Sequence, residues 1–144
     1  MKVAERSRQW DSAAAVRRLR VWAGAERTPN AKYASAFVWY DRKAADQFGA
    51  YKLPFADIVG GEAQIVPQAV FAIAAAIQGA RGGVDIPAED MPGVKKKVED
   101  LYRQIAEAED RDDLEVPWKE ATKVEKGFWS GIFGGTSVAN PLKR

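Results

Sequence analysis

The feature that most constrains the fold is an uncharged run at residues 67–80, which reads PQAVFAIAAAIQGA. Pro67 suits the first position of a helix, because its missing amide would have no partner there. Since every face of such a helix is apolar or small, we expect it to lie centrally, packed between a sheet and other helices. The longest unbroken apolar part, residues 69–77, is about half of the roughly 20 residues that a membrane span needs. We therefore predict a buried helix and no membrane association.

The residues before this helix predict a small antiparallel sheet. Residues 36–40 and 50–59 are rich in aromatic and β-branched side chains, as strands are. Residues 62–66 follow across Gly60 and Gly61, a pair that favours a two-residue turn with positive φ at both positions. Pro54 has no amide to donate and should lie at an edge or a bulge.

Apolar residues at helical spacing predict a first amphipathic helix. Either Asp11 or Ser12 can cap its start, and Gly24 can end it. Its three arginines should point away from the packed face; they are Arg17, Arg18 and Arg20.

A second amphipathic helix is predicted over residues 88–108. Pro92 and Gly93 weaken its first turn, so it begins either at Ala88 or after them. The predicted class is therefore α+β, with a small antiparallel sheet packed against a buried apolar helix and an amphipathic helix. We expect an α+β domain at residues 1–108, an acidic linker at 109–117, and an aromatic, glycine-containing C-terminal segment at 118–144.

Two missing residue types limit the chemistry of the chain. Without cysteine there are no disulfides or thiolates, and without histidine there is neither the commonest general base nor the usual zinc ligand. Four aspartates near the predicted strands are candidates for acid–base or metal chemistry: Asp41, Asp46, Asp57 and Asp85. Their spacing enforces no such site, and capping explains Asp41 and Asp85 better. We predict no enzyme, no cofactor and no metal site.

Charge is unevenly distributed although the net charge is only +2. Residues 1–32 hold eight basic and three acidic residues, whereas residues 85–116 hold five basic and eleven acidic ones. Solvated helix faces explain this most simply. The alternative is a nucleic-acid-binding surface, in which basic side chains contact phosphates and a tyrosine stacks on bases. Its candidate residues are Arg17, Arg18, Arg20, Lys32, Tyr33, Lys52 and Arg81.

Large apolar side chains mark the C-terminal segment. They are Trp118, Phe128, Trp129, Ile132 and Phe133. Such a segment either folds back to complete the core or docks into a protein partner. The sequence leaves both possibilities open.

Several ordered blocks resemble a module found in tailed-phage and prophage head-gene products, often attached to prohead maturation proteases. The blocks read AFVWYD, FGAYKLPFADIV, VPQAVFAIAAAIQGARGGVDIP and VEDLYRQIA, and the resemblance spans residues 10–108. It implies phage origin, a location in the host bacterial cytoplasm or with the virion, and a non-enzymatic role. Because prohead proteases rely on Ser and His and this chain has no His, the resemblance transfers no catalytic residue.

We therefore expect a non-enzymatic module that binds a phage or host protein during head assembly or host takeover. The alternative is a DNA- or RNA-binding module built on the basic first helix. The oligomeric state stays open.

Overall fold

The computed structural model describes residues 1–79 and 83–118. Residues Met1–Leu114 form one compact unit, and a second unit begins at Glu115. The first unit contains, in chain order, β1 (Lys2–Val3), α1 (Ser12–Ala23), α2 (Ala31–Ala34), β2 (Phe37–Tyr40), β3 (Tyr51–Pro54), β4 (Ala56–Val59), β5 (Glu62–Ile65), α3 (Pro67–Ile77) and α4 (Met91–Glu109). Short 3₁₀ turns occupy Arg42–Ala44, Phe48–Ala50 and Ala88–Asp90.

The predicted α+β class is confirmed, and the strands form two small sheets. One has the order β1-β5-β4, in which β5 pairs antiparallel with β4 and parallel with β1. The other is an antiparallel ribbon of β2 and β3. Strand β1 has only two residues, too few to show a periodic pattern in the sequence.

The strand predicted over residues 50–59 divides at Phe55, which connects the two sheets. Leu53 has a φ of 63°, a conformation that side chains other than glycine rarely adopt, and Pro54 ends β3. The Phe55 amide donates to Ala36 O at 3.0 Å, and its carbonyl accepts from Val66 N at 2.9 Å. Phe55 is buried, so this crossing point belongs to the core.

Helix α1 begins and ends where its capping residues predict. The Asp11 carboxylate accepts from Ala14 N at 3.1 Å, and Gly24 ends the helix in the left-handed conformation. The helix buries Ala15, Leu19 and Ala23 and packs against β4.

Helix α3 is buried on one side only. It buries Pro67, Ala69, Val70, Ile73 and Ala74 and packs against α4, where the Phe71 and Tyr102 rings meet edge to face at 5.4 Å. Its outer alanines, at positions 72 and 75, are exposed. An alanine side chain has little apolar area, so its exposure costs little.

Helix α4 begins at Met91, directly after the 3₁₀ turn, and contains Pro92 and Gly93 in its first turn. A proline there removes no helical hydrogen bond, because the first amides of a helix have no intrahelical acceptor. The buried face consists of Val94, Val98, Leu101, Tyr102 and Ile105. Among the helices of residues 1–79 and 83–118, none is long and apolar enough to cross a membrane.

Candidate functional site

A buried aspartate in β4 anchors helix α1. The Asp57 side chain is 3% exposed and accepts from Arg18 Nε and Nη2, each at 2.8 Å. Arg8 Nη2 donates to the same carboxylate at 3.1 Å, and Ile58 N donates to it at 2.7 Å. Two guanidiniums and one amide thus surround one carboxylate, which fixes α1 and the segment before it against the sheet.

This carboxylate stays ionised. Burial alone raises the pKa of Asp57, but the hydrogen bonds from Arg18, the Ile58 amide and Arg8 outweigh it and hold the pKa below its usual range. The hydrogen bond with Asp57 in turn raises the pKa of Arg18. The cluster is therefore a structural ion pair rather than an acid–base site.

Beside this cluster lies a shallow groove of about 490 Å³ between α1 and the β4–β5 hairpin. We call it the α1 groove; its lining residues are Ala14, Arg17, Arg18, Val21, Trp22, Ile58 and Gly61. The Val21 side chain is 64% exposed, more than any other large apolar residue in the described part of the chain. The lining contains two arginines and no acidic residue.

Helix α2 places a further cation at the edge of this groove. The Lys32 ammonium lies 4.5 Å from the Trp22 ring centroid, within the range of a cation–π contact. Asn30 fixes α2 against α1, because its side chain accepts from Tyr33 N and donates to Ala23 O, both at 2.8 Å. The cation and the indole ring therefore belong to an ordered arrangement.

The structure divides the residues predicted to bind nucleic acid. Arg17, Arg18 and Lys32 lie at the α1 groove, although Arg18 already binds Asp57. The Arg20 guanidinium lies 3.8 Å from the Phe48 ring centroid, and Lys52 lies in β3, in the other sheet. Arg81 is outside the described residues.

Tyr33 requires a correction. Its side chain is 1% exposed, and its ring packs among Phe37, Phe48 and Tyr51 with centroid distances of 4.7–5.5 Å. A base cannot stack on a ring that aromatic neighbours already cover, so the structure contradicts the predicted stacking role. The residue belongs to the aromatic core.

Of the apolar residues predicted to bind a protein partner, the structure describes only Trp118, which is partly buried. Phe128, Trp129, Ile132 and Phe133 lie outside the described residues. Their role stays a prediction.

Two of the other aspartates near the predicted strands have different surroundings. The Asp41 carboxylate accepts from Lys43 N at 3.0 Å, which confirms that it caps the 3₁₀ turn Arg42–Ala44. Asp85 is exposed, and the residue at the cap position of the next turn, Ala88–Asp90, is Pro87 rather than Asp85. Within residues 1–79 and 83–118, no group of three or more acidic side chains could hold a metal ion.

A second cleft, of about 810 Å³, lies between β2 and the first turns of α4. Trp39 Nε1 donates across it to Asp90 Oδ2 at 3.1 Å. Its charged lining is balanced, with three acidic and three basic residues: Asp41, Glu89, Asp90, Arg42, Lys43 and Lys97. Unlike the α1 groove, this cleft favours no sign of ligand charge.

Sequence reasoning missed the groove because its parts come from distant segments. The segment Ala56–Val59 contained one signal, since a carboxylate within an apolar strand needs a cationic partner. Nothing in the local sequence identified that partner as Arg18, 39 residues away.

Comparison with known proteins found no matching family model, no matching curated protein and no matching solved structure.

Proposed function

We propose that this chain is a non-enzymatic interaction module that binds a protein partner, with the α1 groove as one contact surface. The observation that carries this proposal is the 64% exposure of Val21 beside the partly buried Trp22 and Ile58. A protein interface typically has an apolar centre within a polar rim, and these residues with their cationic neighbours provide both. The groove is small compared with a standard interface of about 800 Å² per partner, so it would anchor a larger contact.

The nucleic-acid alternative has less support. Sequence-independent binding requires several cations that reach phosphates, with aromatic faces on which bases stack. Arg18 binds Asp57, Arg20 covers Phe48, and Tyr33 is buried. Arg17 and Lys32 remain as cations at the groove, but its centre is aliphatic and Lys32 lies over the Trp22 ring, which suits a peptide side chain better than a stacked base.

The resemblance to phage head-gene modules supplies a proposed context for this binding. On that resemblance, the proposed context is head assembly or host takeover, in the cytoplasm of a bacterial host or with the virion. The apolar C-terminal segment, with Phe128 and Trp129, remains a second proposed contact.

Photo-crosslinking tests the proposed function. A photoreactive amino acid replaces Val21 on α1 or, as the control, the exposed Glu107 on α4, and irradiation takes place in lysate of the cells that produce the chain. We expect an adduct at position 21 that resists nuclease and contains peptides of a second protein, identified by mass spectrometry, with none at position 107. A nuclease-sensitive adduct at position 21 would support the nucleic-acid alternative, and equal adducts at both positions would contradict a specific groove contact.

A further inference from the structure

We infer that the α1 groove takes an acidic segment of a protein partner, with an apolar side chain of that segment seated against Val21 and Ile58. This inference rests on the proposed function and adds the chemistry of the partner. Two properties of the groove carry it: the sign of its charge and the aliphatic character of its centre.

The charge at the groove is positive even after internal ion pairs are counted. Arg8 and Arg18 share the single carboxylate of Asp57, so this cluster keeps one positive charge. Arg17 adds a second, because it is exposed and has no ion-pair partner among the described residues. Lys32 adds a third at the Trp22 ring. Carboxylates of a partner bound in the groove would therefore lie close to a net positive charge.

Acidic residues near the groove offset only part of this charge: Asp11 is close enough to Arg18 to contribute to the raised pKa of that guanidinium. Asp11 lies at the start of α1, where its carboxylate accepts the Ala14 amide. Glu62 begins β5, beyond the hairpin turn, and its Oε2 lies 3.9 Å from Lys2 Nζ. Neither residue lines the groove, and Arg17 and Lys32 remain there as cations for a partner's carboxylates.

The centre of the groove favours an aliphatic anchor over a stacked base. Val21 and Ile58 offer branched aliphatic surface, and the Lys32 ammonium lies over the Trp22 ring. Burying the Val21 side chain against a Leu or Phe of the partner removes apolar surface from water on both molecules. A partner segment should therefore combine Asp or Glu with at least one large apolar residue.

Peptide selection tests the inference. A library of displayed random peptides is selected on the purified full chain, and the recovered peptides are titrated against the original chain and its Val21→Ser and Arg17→Glu variants. The matched control is Lys96→Glu, which makes the same charge change at an exposed position of α4. Each substitution is at an exposed position, so the circular dichroism spectra of the three variants should agree with that of the original chain.

We expect recovered peptides to be enriched in Asp and Glu next to Leu, Phe or Trp. Arg17→Glu and Val21→Ser should each weaken their binding about tenfold or more, whereas Lys96→Glu should change it less than about threefold. Basic or uncharged peptides that bind at the groove would overturn the inference about charge and leave the proposed function intact. A selection without groove-dependent peptides would overturn the inference, and crosslinking at position 21 would still decide the proposed function independently.

Two other occupants have distinct signatures, and either would overturn the inference. Binding of single-stranded DNA to the original chain at low salt, lost in the Arg17→Glu variant, would identify a nucleic-acid site. Concentration-dependent self-association of the chain that Val21→Ser abolishes, measured by sedimentation, would identify a second copy as the occupant.

Discussion

Arg18 and Asp57 form a bidentate ion pair that joins α1 to β4, with Arg18 Nε and Nη2 each 2.8 Å from a carboxylate oxygen. This geometry matches the planar guanidinium to the planar carboxylate and orients the α1 helix on the sheet. Since α1 forms one wall of the groove and β4 provides Ile58, the pair also sets the position of one wall relative to the other.

Loss of the arginines should destabilise the fold in a non-additive way. Arg18→Ala or Arg8→Ala leaves Asp57 with one guanidinium, and each should lower the free energy of unfolding by about 1–3 kcal/mol. The double variant leaves a buried carboxylate without a cation and should lose about 1 kcal/mol more than the sum. Urea denaturation measures these changes, with the exposed Arg17→Ala as the control that changes little. Strict additivity would show that the two arginines act independently.

Stability should depend on pH through Asp57. The pKa of this group is lower in the folded protein than in the unfolded chain, where it is about 3.9. Its contribution is therefore fully present above the unfolded pKa and is lost as pH falls through the folded pKa. The stability difference between the original chain and Asp57→Asn, from urea denaturation, should be constant at neutral pH and shrink below about pH 4. A difference that does not change with acidification would contradict a lowered pKa.

Asn30 should stabilise the packing of α1 and α2 through two separate hydrogen bonds. Asn30→Ala removes the cap of α2 and the donor to Ala23 O, which should lower the free energy of unfolding by about 1–2 kcal/mol. Asn30→Ser retains a side-chain acceptor for Tyr33 N and should lose about half as much. Equal stability of the Ser variant and the original chain would show that the bond to Ala23 contributes nothing.

The β4–β5 turn should distinguish its two glycines. Gly60 and Gly61 have φ values of 61° and 84°, the combination of a type I′ turn, in which Asn-Gly is the favoured pair. Gly60→Asn should therefore be nearly neutral, whereas Gly61→Ala should cost about 1–2 kcal/mol because of its side chain at positive φ. Thermal denaturation of both variants measures this difference, and equal melting temperatures would contradict the turn type.

Local signals in the sequence predicted the elements better than their arrangement. The capping residues Asp11 and Gly24 and the turn pair Gly60-Gly61 act within a few positions, and the structure confirms all of them. The division of the predicted second strand at Phe55 depends on hydrogen bonds to Ala36, just before β2, and to Val66, just after β5 in the other sheet. Local composition contains no information on such bonds.

The candidate site depended even more on distant contacts. A helical pattern predicts that Arg18 points away from the packed face of α1 but does not reveal that its side chain reaches Asp57 in β4, the strand against which α1 packs. The sequence predicts that Tyr33 stacks on bases, whereas in the structure Tyr33 belongs to helix α2 and its ring is buried in the core. For both residues, tertiary packing decided the role that the sequence pattern left undetermined.

The most direct test of the proposed acidic-partner site introduces opposite charges at the centre of the α1 groove in two variants. Val21→Glu and Val21→Lys both replace an exposed valine with a charged side chain, so they differ mainly in charge. Fluorescence anisotropy with a labelled peptide recovered by selection measures the affinity of each variant. We predict that Val21→Glu binds about tenfold or more weakly than Val21→Lys, because a carboxylate there repels an acidic segment. Equal affinities, or tighter binding by Val21→Glu, would contradict the account.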